Sequence, residues 1–414
     1  MSASARVIHV VTAFPRHPED PITPWLVELV RRQREAGLDA SVLAPAYRGG
    51  PDDSGLPVPV HRFRYGPRGL EELTHDETVP DRLRNRPAWG LMVPPYLAGG
   101  ILAARRVGSS RPPPDVVHVH WPMPHAILGA ALRQASGGRT ALVCSYYSVE
   151  IHWVRSRLAP LMPFLRWTAR TADEVTAIST ATADAVRSLV DRPVPVIPYG
   201  AAMPDDDGAP PVRAALADVT RTPVRILFVG RLVERKGVEV LVRALGAGHF
   251  SRPVELRIVG TGEWEKEIRT AIRHQGLEAV RLLGHVSAEQ LRDEYERADI
   301  FVLPAVRDTK GDTEGLGVVL LEALRFERPV IGSDIGGIPD IVRHEETGLL
   351  VPPGDPEALA AAIERLVEAP EFARRLARQG RAHAATAFGW PGVLEATSRA
   401  YDRARTARAG ELAP

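Results

Sequence analysis

Cysteine is almost absent: the 414 residues hold Cys144 alone, which excludes an internal disulfide framework and a cysteine-rich zinc site. Lysine is scarce as well. Lys236, Lys266 and Lys310 stand in a chain whose other cationic residues are arginines, so each surviving lysine is worth weighing. Long apolar runs are also missing. The stretch before Phe14 has only Val7 to Val11, far below the ~20 residues a membrane span needs, and it shows no basic leader with a cleavage site. The expectation is a soluble, cytoplasmic protein. Neither sign of charge dominates, since 52 basic residues against 51 acidic ones leave a net charge of +1, which removes a whole-chain case for nucleic-acid binding. The hydrophobic content of 44% and the length allow two or three units with full-sized cores.

Strand, loop, helix, strand is the recurring plan. Arg6 to Ala13 is rich in β-branched residues, Trp25 to Ala36 carries a helical period on Leu26, Leu29, Val30 and Gln33, and Asp39 to Ala44 returns as a strand. The plan restarts at Val224 to Gly230, with a helix at Val238 to Leu245 and a strand at Val254 to Gly260. Two such starts predict two doubly wound parallel α/β domains. Further strands are expected at Asp115 to His120, Thr140 to Ser145, Glu174 to Ile178, Val194 to Pro198, Val280 to Leu283, Ile300 to Pro304, Pro329 to Gly332 and Gly348 to Val351. Helices are expected near Gln290 to Arg297, Gly317 to Arg325, Glu357 to Leu366 and Pro391 to Thr406. Ala201 to Thr222, dense in Pro, Gly and Asp, reads as the linker. The domains are accordingly 1–207 and 222–389, with the tail 390–414 free to pack on either. Residues 46 to 100 are interrupted by Pro and Gly and stay unassigned.

Chemistry concentrates in the second half. Glu314 to Glu322 (EGLGVVLLE) follows the strand Ile300 to Pro304, so a glycine-bearing loop turns into a helix at the strand's carboxyl end. Free backbone N–H groups and the positive helix end make that point an anion site. Glu314 and Glu322 stand at different distances from it and can meet two hydroxyl-bearing parts of one ligand; the alternative is a helix-start acid and a solvated glutamate. Because Val318 to Leu321 is apolar, the helix start is expected to be buried and Glu322 to need a partner. Gly230 to Gly237 (GRLVERKG) follows the first strand of the second domain and offers Arg231, a planar fork, and Lys236, a compact ammonium. Together they suit a diphosphate; the alternative is a solvated charged turn.

These segments, with Pro329 to Pro339 (PVIGSDIGGIP) and Thr347 to Asp355 (TGLLVPPGD), resemble glycosyltransferase family 4. The resemblance implies the GT-B fold, two Rossmann-like domains facing a central cleft. It implies a retaining, metal-independent enzyme that moves a sugar from a nucleoside diphosphate donor, a UDP- or GDP-sugar, to a hydroxyl acceptor such as a glycan, a lipid-linked saccharide or a small glycoside. The nucleotide sugar is a substrate, and no cofactor, metal or nucleic acid is implied. Arg231 and Lys236 match the pair that holds the diphosphate, with Gly230 beside them, and Gly315, Leu316, Gly317 and Val318 match the helix start facing the distal phosphate. Glu314 matches the acid on the transferred sugar and Glu322 the one on the ribose, while Gly284 and His285 match the segment framing the nucleobase. No separate protein base is then essential, the departing phosphate drawing the acceptor proton.

The first half departs from the family. Its first loop runs Phe14-Pro15-Arg16-His17-Pro18-Glu19-Asp20, close to an exopolysaccharide-type subset, and Asp20 is the substrate-side candidate there. Tyr147 in Ser145-Tyr146-Tyr147-Ser148 stands where a histidine is common. His118-Val119-His120-Trp121 resembles the family's His-x-His-Trp strand end, and His120 is the catalytic candidate, weighed against two ordinary half-buried histidines on one strand face. An epimerase or phosphorylase on the same fold, or a non-catalytic sugar-nucleotide binder, remain as alternatives. Three signals are set aside: Asp205-Asp206-Asp207 as a metal motif, Gly260-Thr261-Gly262 as a dinucleotide fingerprint, since Glu265 takes the third glycine position, and Cys144 as a nucleophile. Trp153 to Arg170 mixes arginine with Trp, Leu and Phe; packing inside the first domain is favoured, and peripheral contact with the inner membrane face stays open.

Overall fold

The structure is a computed structural model that describes residues 5–18, 20, 22–49, 53, 55–76, 79–200 and 223–412. The chain divides into two compact units, 1–178 with 182–202 and 393–414, and 179–181 with 203–392.

The first unit holds a six-stranded sheet of β1 (Arg6–Val10), β2 (Asp39–Pro45), β3 (Val60–Phe63), β4 (Val116–His120), β5 (Ala141–Tyr146) and β6 (Glu174–Ala177) in the order β3-β2-β1-β4-β5-β6. The second holds β7 (Val224–Val229), β8 (Val254–Val259), β9 (Val280–Gly284), β10 (Ile300–Leu303), β11 (Val330–Ser333) and β12 (Leu349–Val351) in the order β12-β11-β10-β7-β8-β9. Every strand pair in both sheets is parallel. Parallel strands covered by helices on both faces need apolar residues on both, which is why β5 and β10 are buried along their whole length. In each sheet the order reverses beside the first strand, between β1 and β4 and between β7 and β10. The loops that leave those strands diverge there and open a crevice at the carboxyl edge.

Local chemistry explains where the helices stop and start. Gly276 in the left-handed region (φ 62°) ends Glu265–Gln275, a reciprocal Ser287–Gln290 capping box opens Ala288–Arg297, and Asp355 caps Pro356–Glu368 with proline in its first turn. Glu327, at φ 52°, takes the left-handed turn after Val318–Arg325 without a glycine, and Arg381 bonds its carboxylate.

Some expectations need correction. Val194 to Pro198 forms a single bridge, Val196 to Ala177, and no strand, because Pro193, Pro195 and Pro198 remove ladder donors. The first strand stops at Val10, short of Ala13. Residues 46–100, left unassigned, contribute β3 and the helices Val79–Asn85 and Val93–Gly108, and Pro370–Ala387 is a further helix whose pattern went unread. The linker and its Asp205-Asp206-Asp207 lie outside the described residues.

The long helix Trp390–Leu412 joins the first unit from Val393 onward. Arg403 pairs with Glu174 and Arg408 with Asp173, so the tail supplies the counter-charges for two acids buried at the start of β6. In the segment around Trp153 to Arg170, Leu165, Thr168 and Ala169 are buried while Arg166, Trp167 and Arg170 are exposed. Among the described residues, no helix is long and apolar enough to cross a membrane.

Candidate active site

In the second unit, the loops leaving β7 and β10 meet at the switch point. Gly237 permits the approach: it sits at φ 65°, and a Cβ there would lie 1.8 Å from the Pro304 carbonyl oxygen, so only glycine lets the turn after β7 touch the end of β10. The Val306 amide bonds the Arg235 carbonyl across the same junction. The Lys236 ammonium lies 2.6 Å from Glu314 Oε2, both side chains being mostly buried. This contact is an ion pair off hydrogen-bond alignment, since Oε2 has no well-directed donor. Burial pushes the Glu314 carboxyl up, but Lys236, Arg235 and the Gly317 amide outweigh it and the net direction is down, leaving Glu314 ionised.

Gly317, at φ 88°, is the residue before the helix Val318–Arg325, and no side chain caps that helix. The Gly317 amide is taken by Glu314 and the Leu320 amide by the Gly317 carbonyl, so the Val318 and Val319 amides are the ones left for a ligand among the described residues. Gly336 and Gly337 pack onto this loop from behind: a Cβ on Gly336 would lie 2.0 Å from the Glu314 carbonyl oxygen, and the Gly337 amide bonds that oxygen. Gly315 and Val318 are half-buried and Leu316 is buried. Val319 is half-buried too, so the helix start is partly open and full burial is reached only at Leu320.

Glu322 is half-buried and has a partner. The Tyr295 hydroxyl donates to its Oε2 at 2.7 Å, and burial raises the carboxyl against the lowering effect of that bond. Tyr295, with no exposed surface, had no distinguishing signal in its amphipathic helix. Arg231 is exposed, and its guanidinium forms no ion pair or hydrogen bond with the described residues. Gly230 is half-buried at the end of β7, and the close approach of Gly260 to its carbonyl, with a would-be Cβ at 1.9 Å, gives that glycine a packing role. Gly284 ends β9 and His285 is exposed beside it. Lys236, Glu314 and Gly317 thus gather at one loop junction, while Arg231 stands exposed on the loop leaving β7; Glu322 sits a turn further along the helix, and Gly284 and His285 lie at the β9 end of the sheet.

In the first unit, Asp20 closes its own loop. It accepts from the Arg16 amide at 3.0 Å, the Arg16 side chain at 2.6 Å and the Ile22 amide, and these bonds hold it ionised against the burial that raises it. His120 is 1% exposed, more deeply placed than a half-buried strand histidine. Its Nδ1 lies 2.6 Å from the Tyr147 hydroxyl, and its Nε2 lies 2.9 Å from Nδ1 of His9. Tyr147 is half-buried and belongs to an aromatic group with Trp25, Trp121 and Tyr199: Trp121 stacks on Tyr147 at 4.6 Å and Trp25 on Tyr199 at 4.8 Å. Backbone strain collects at this edge. Thr23, Trp121 and Ser148 each hold positive φ immediately before a helix, an arrangement that costs about 1–2 kcal/mol per residue. Glu150 went unread; it is buried, its Oε1 accepts from the Tyr147 amide, and its Oε2 has no hydrogen-bond partner among the described residues. Desolvation pushes its carboxyl up to about 7. Cys144, buried in β5, has its thiol pushed up by the same cause.

Comparison with known proteins agrees with this layout. Residues 218–383 match the family model described as glycosyl transferases group 1, and residues 22–200 match the glycosyl transferase 4-like domain. A glycogen synthase of Mycobacterium tuberculosis is 30% identical over 345 residues, 79% of this chain and 77% of that protein. The chain belongs to glycosyltransferase family 4. It is an enzyme of the glycosyltransferase class. Two further relatives are matched over less of their length: the amylovoran biosynthesis glycosyltransferase AmsK of Erwinia amylovora, 40% identical over 36% of this chain and 38% of that one, and the GDP-mannose-dependent phosphatidylinositol monomannoside mannosyltransferase of Mycolicibacterium smegmatis, 31% identical over 64% and 71%. Among solved structures, sucrose-phosphate synthase of Thermosynechococcus elongatus superposes with a TM-score of 0.72 at 22% identity, covering 96% of this chain and 98% of that chain. HepE of Anabaena, solved with UDP and glucose, gives 0.66 at 18% identity over 95% and 98%. At these identities the likeness establishes the fold, GT-B.

Proposed function

We propose that this family 4 member is a retaining, metal-independent hexosyltransferase. It takes the sugar from a UDP- or GDP-sugar held by the second unit and passes it to a saccharide hydroxyl received by the first. One observation supports the reading: where β7 and β10 part, the Lys236 ammonium pairs with Glu314 beside a helix start that no side chain caps among the described residues, and the exposed Arg231 lies on the loop that leaves β7. A diphosphate entering there meets Arg231 and the open amides and competes with Glu314 for the Lys236 ammonium. Glu314, once released, is free to accept from a hydroxyl of the transferred sugar. The charge that grows on the departing phosphate falls on cations and aligned peptide dipoles already in place, the work a metal ion does in other transferases. Oε1 of Glu322 is left to meet the ribose, since Tyr295 occupies Oε2. The departing phosphate takes the acceptor proton from the same face, so configuration is retained.

The test is a thermal-shift series with UDP, GDP and ADP on the wild type, Arg231→Ala and Lys236→Ala, with turnover of the matching sugar nucleotides. One nucleotide should raise the melting temperature of the wild type and lose that effect in both variants, while turnover falls about 10²–10³-fold. Wild-type nucleotide response in both variants would refute the diphosphate assignment.

A further inference from the structure

A chain of hydrogen bonds crosses the interior of the first unit and ends on Tyr147. From the Tyr147 hydroxyl it runs to His120 Nδ1 (2.6 Å), from His120 Nε2 to His9 Nδ1 (2.9 Å), and from His9 Nε2 to Gln33 Oε1 (2.8 Å). The Gln33 amide nitrogen then donates to the Tyr401 hydroxyl (3.0 Å), which meets His118 Nδ1 (2.9 Å); His118 Nε2 reaches Ser145 Oγ (2.7 Å), and Ser145 reaches Thr176 (2.6 Å). Segments far apart in sequence meet here: β1, the helix Pro24–Glu35, β4, β5, β6 and the C-terminal helix.

Donor and acceptor inventory gives this chain one direction. An amide oxygen only accepts, so His9 carries its proton on Nε2. A neutral His9 then has a lone pair on Nδ1, which requires His120 to donate from Nε2 and leaves His120 Nδ1 to accept the Tyr147 proton. On the other arm Tyr401 accepts from Gln33, spends its own proton on His118 Nδ1, and obliges His118 to donate from Nε2. Burial lowers all three histidines, His9 to about 4 and the other two well below their ordinary value, so the rings stay neutral. All three are then the same tautomer, with the proton on Nε2. Turning the Gln33 amide over would reverse every bond and put all three protons on Nδ1. The ligand nitrogens of these rings lie within 4.8 Å of one another, but each lone pair already accepts a proton, so the cluster is a closed polar network and not an open metal cage.

We propose that Gln33 and Tyr401 are positioning residues that hold His9, His118 and His120 in one common tautomer, so that Tyr147 turns its oxygen lone pairs toward an acceptor hydroxyl at the carboxyl edge of the first sheet. No proton travels along the chain; its polarity alone decides whether Tyr147 receives or offers a hydrogen bond. The received bond comes from a neighbouring, non-reacting hydroxyl of the acceptor sugar and orients that sugar, so the reacting hydroxyl keeps its one proton for the departing phosphate. The acceptor part of this inference rests on the glycosyltransferase reading; the tautomers do not.

The experiment is long-range ¹H–¹⁵N correlation on the full chain with ¹⁵N-labelled histidine. The wild type should show His9, His118 and His120 as neutral Nε2–H tautomers. Tyr401→Phe should release His118 alone, because Gln33 still accepts from His9, and Gln33→Leu should release all three. Nδ1–H tautomers, charged rings or a bound metal ion in the wild type would overturn the proposal, as would an unchanged His118 in Tyr401→Phe. In transfer from UDP-glucose or GDP-mannose to methyl glycosides, Gln33→Leu should lower kcat about tenfold and leave the donor KM unchanged, the cost of one misdirected hydrogen bond. Unchanged kcat overturns the role of Tyr147. Absence of nucleotide binding in the wild type would instead sink the diphosphate reading and leave the tautomer result standing.

Discussion

Replacing Glu150 with glutamine should make the protein more stable, and increasingly so as pH rises. The carboxyl is buried at the start of the helix Val149–Arg157, one oxygen bonded to the Tyr147 amide and the other without a hydrogen-bond partner among the described residues. Its value of about 7 lies above the ordinary 4.5, with desolvation as the leading cause. Below pH 4.5 both folded and unfolded chains hold the proton and the acid costs nothing. Between 4.5 and 7 the unfolded chain gives its proton up while the folded one keeps it, so stability falls by 1.36 kcal/mol for each pH unit and then levels off. The full loss is about 3 kcal/mol, an upper bound because an ionised carboxylate draws amides and water toward it. Glutamine does not titrate, and the other ionising groups are common to both proteins and cancel in the comparison. Melting of wild type and Glu150→Gln at pH 4.5 and pH 8 should therefore show a gap that widens by up to about 3 kcal/mol, or about 6–12 °C for a unit of this size. A gap that stays constant with pH, or narrows, would refute the argument that an unpaired buried carboxyl sits there.

Gly237→Ala should cost about 3 kcal/mol or more in urea unfolding, because it adds a clash with the Pro304 carbonyl to left-handed strain, whereas Gly276→Ala, at φ 62° with nothing within 4 Å, should cost only about 1 kcal/mol. Tyr295→Phe should destabilise the second unit by about 1–3 kcal/mol and raise the Glu322 carboxyl further, read by carboxyl NMR; an unmoved Glu322 would show that the 2.7 Å bond is not formed in solution. Cys144 should resist thiol reagents in the native protein and react only on unfolding, since burial both hides the thiol and suppresses its thiolate.

Legibility in the sequence followed how local the physics is. The buried parallel strands announced themselves because a strand covered on both faces must be apolar on both, and β7, β8 and β10 came out within a residue or two of their observed bounds. Arg231, Lys236, Glu314 and Gly317 were legible as candidates for a related reason: each lies within a few residues of a strand end or helix start, and the open order of such a sheet already tells where those ends point. By contrast β3 stayed hidden in residues 46–100, where half-exposed residues and prolines blur the alternation.

The sequence by itself determined the buried strands at the centre of both sheets, two repeats of one winding, and the short segments on which anion chemistry is expected, because these depend on side chains within one or two turns of each other. Only the tertiary structure decided that Lys236 faces Glu314, that Asp20 is taken up by Arg16, that the C-terminal helix neutralises Asp173 and Glu174, and that His9, Gln33, His118, His120 and Tyr401 join in one hydrogen-bond network. Those pairings join residues up to 368 positions apart. A polar side chain carries no mark of its distant partner; the partner is chosen when burial removes water and each donor must find an acceptor in the space the fold leaves.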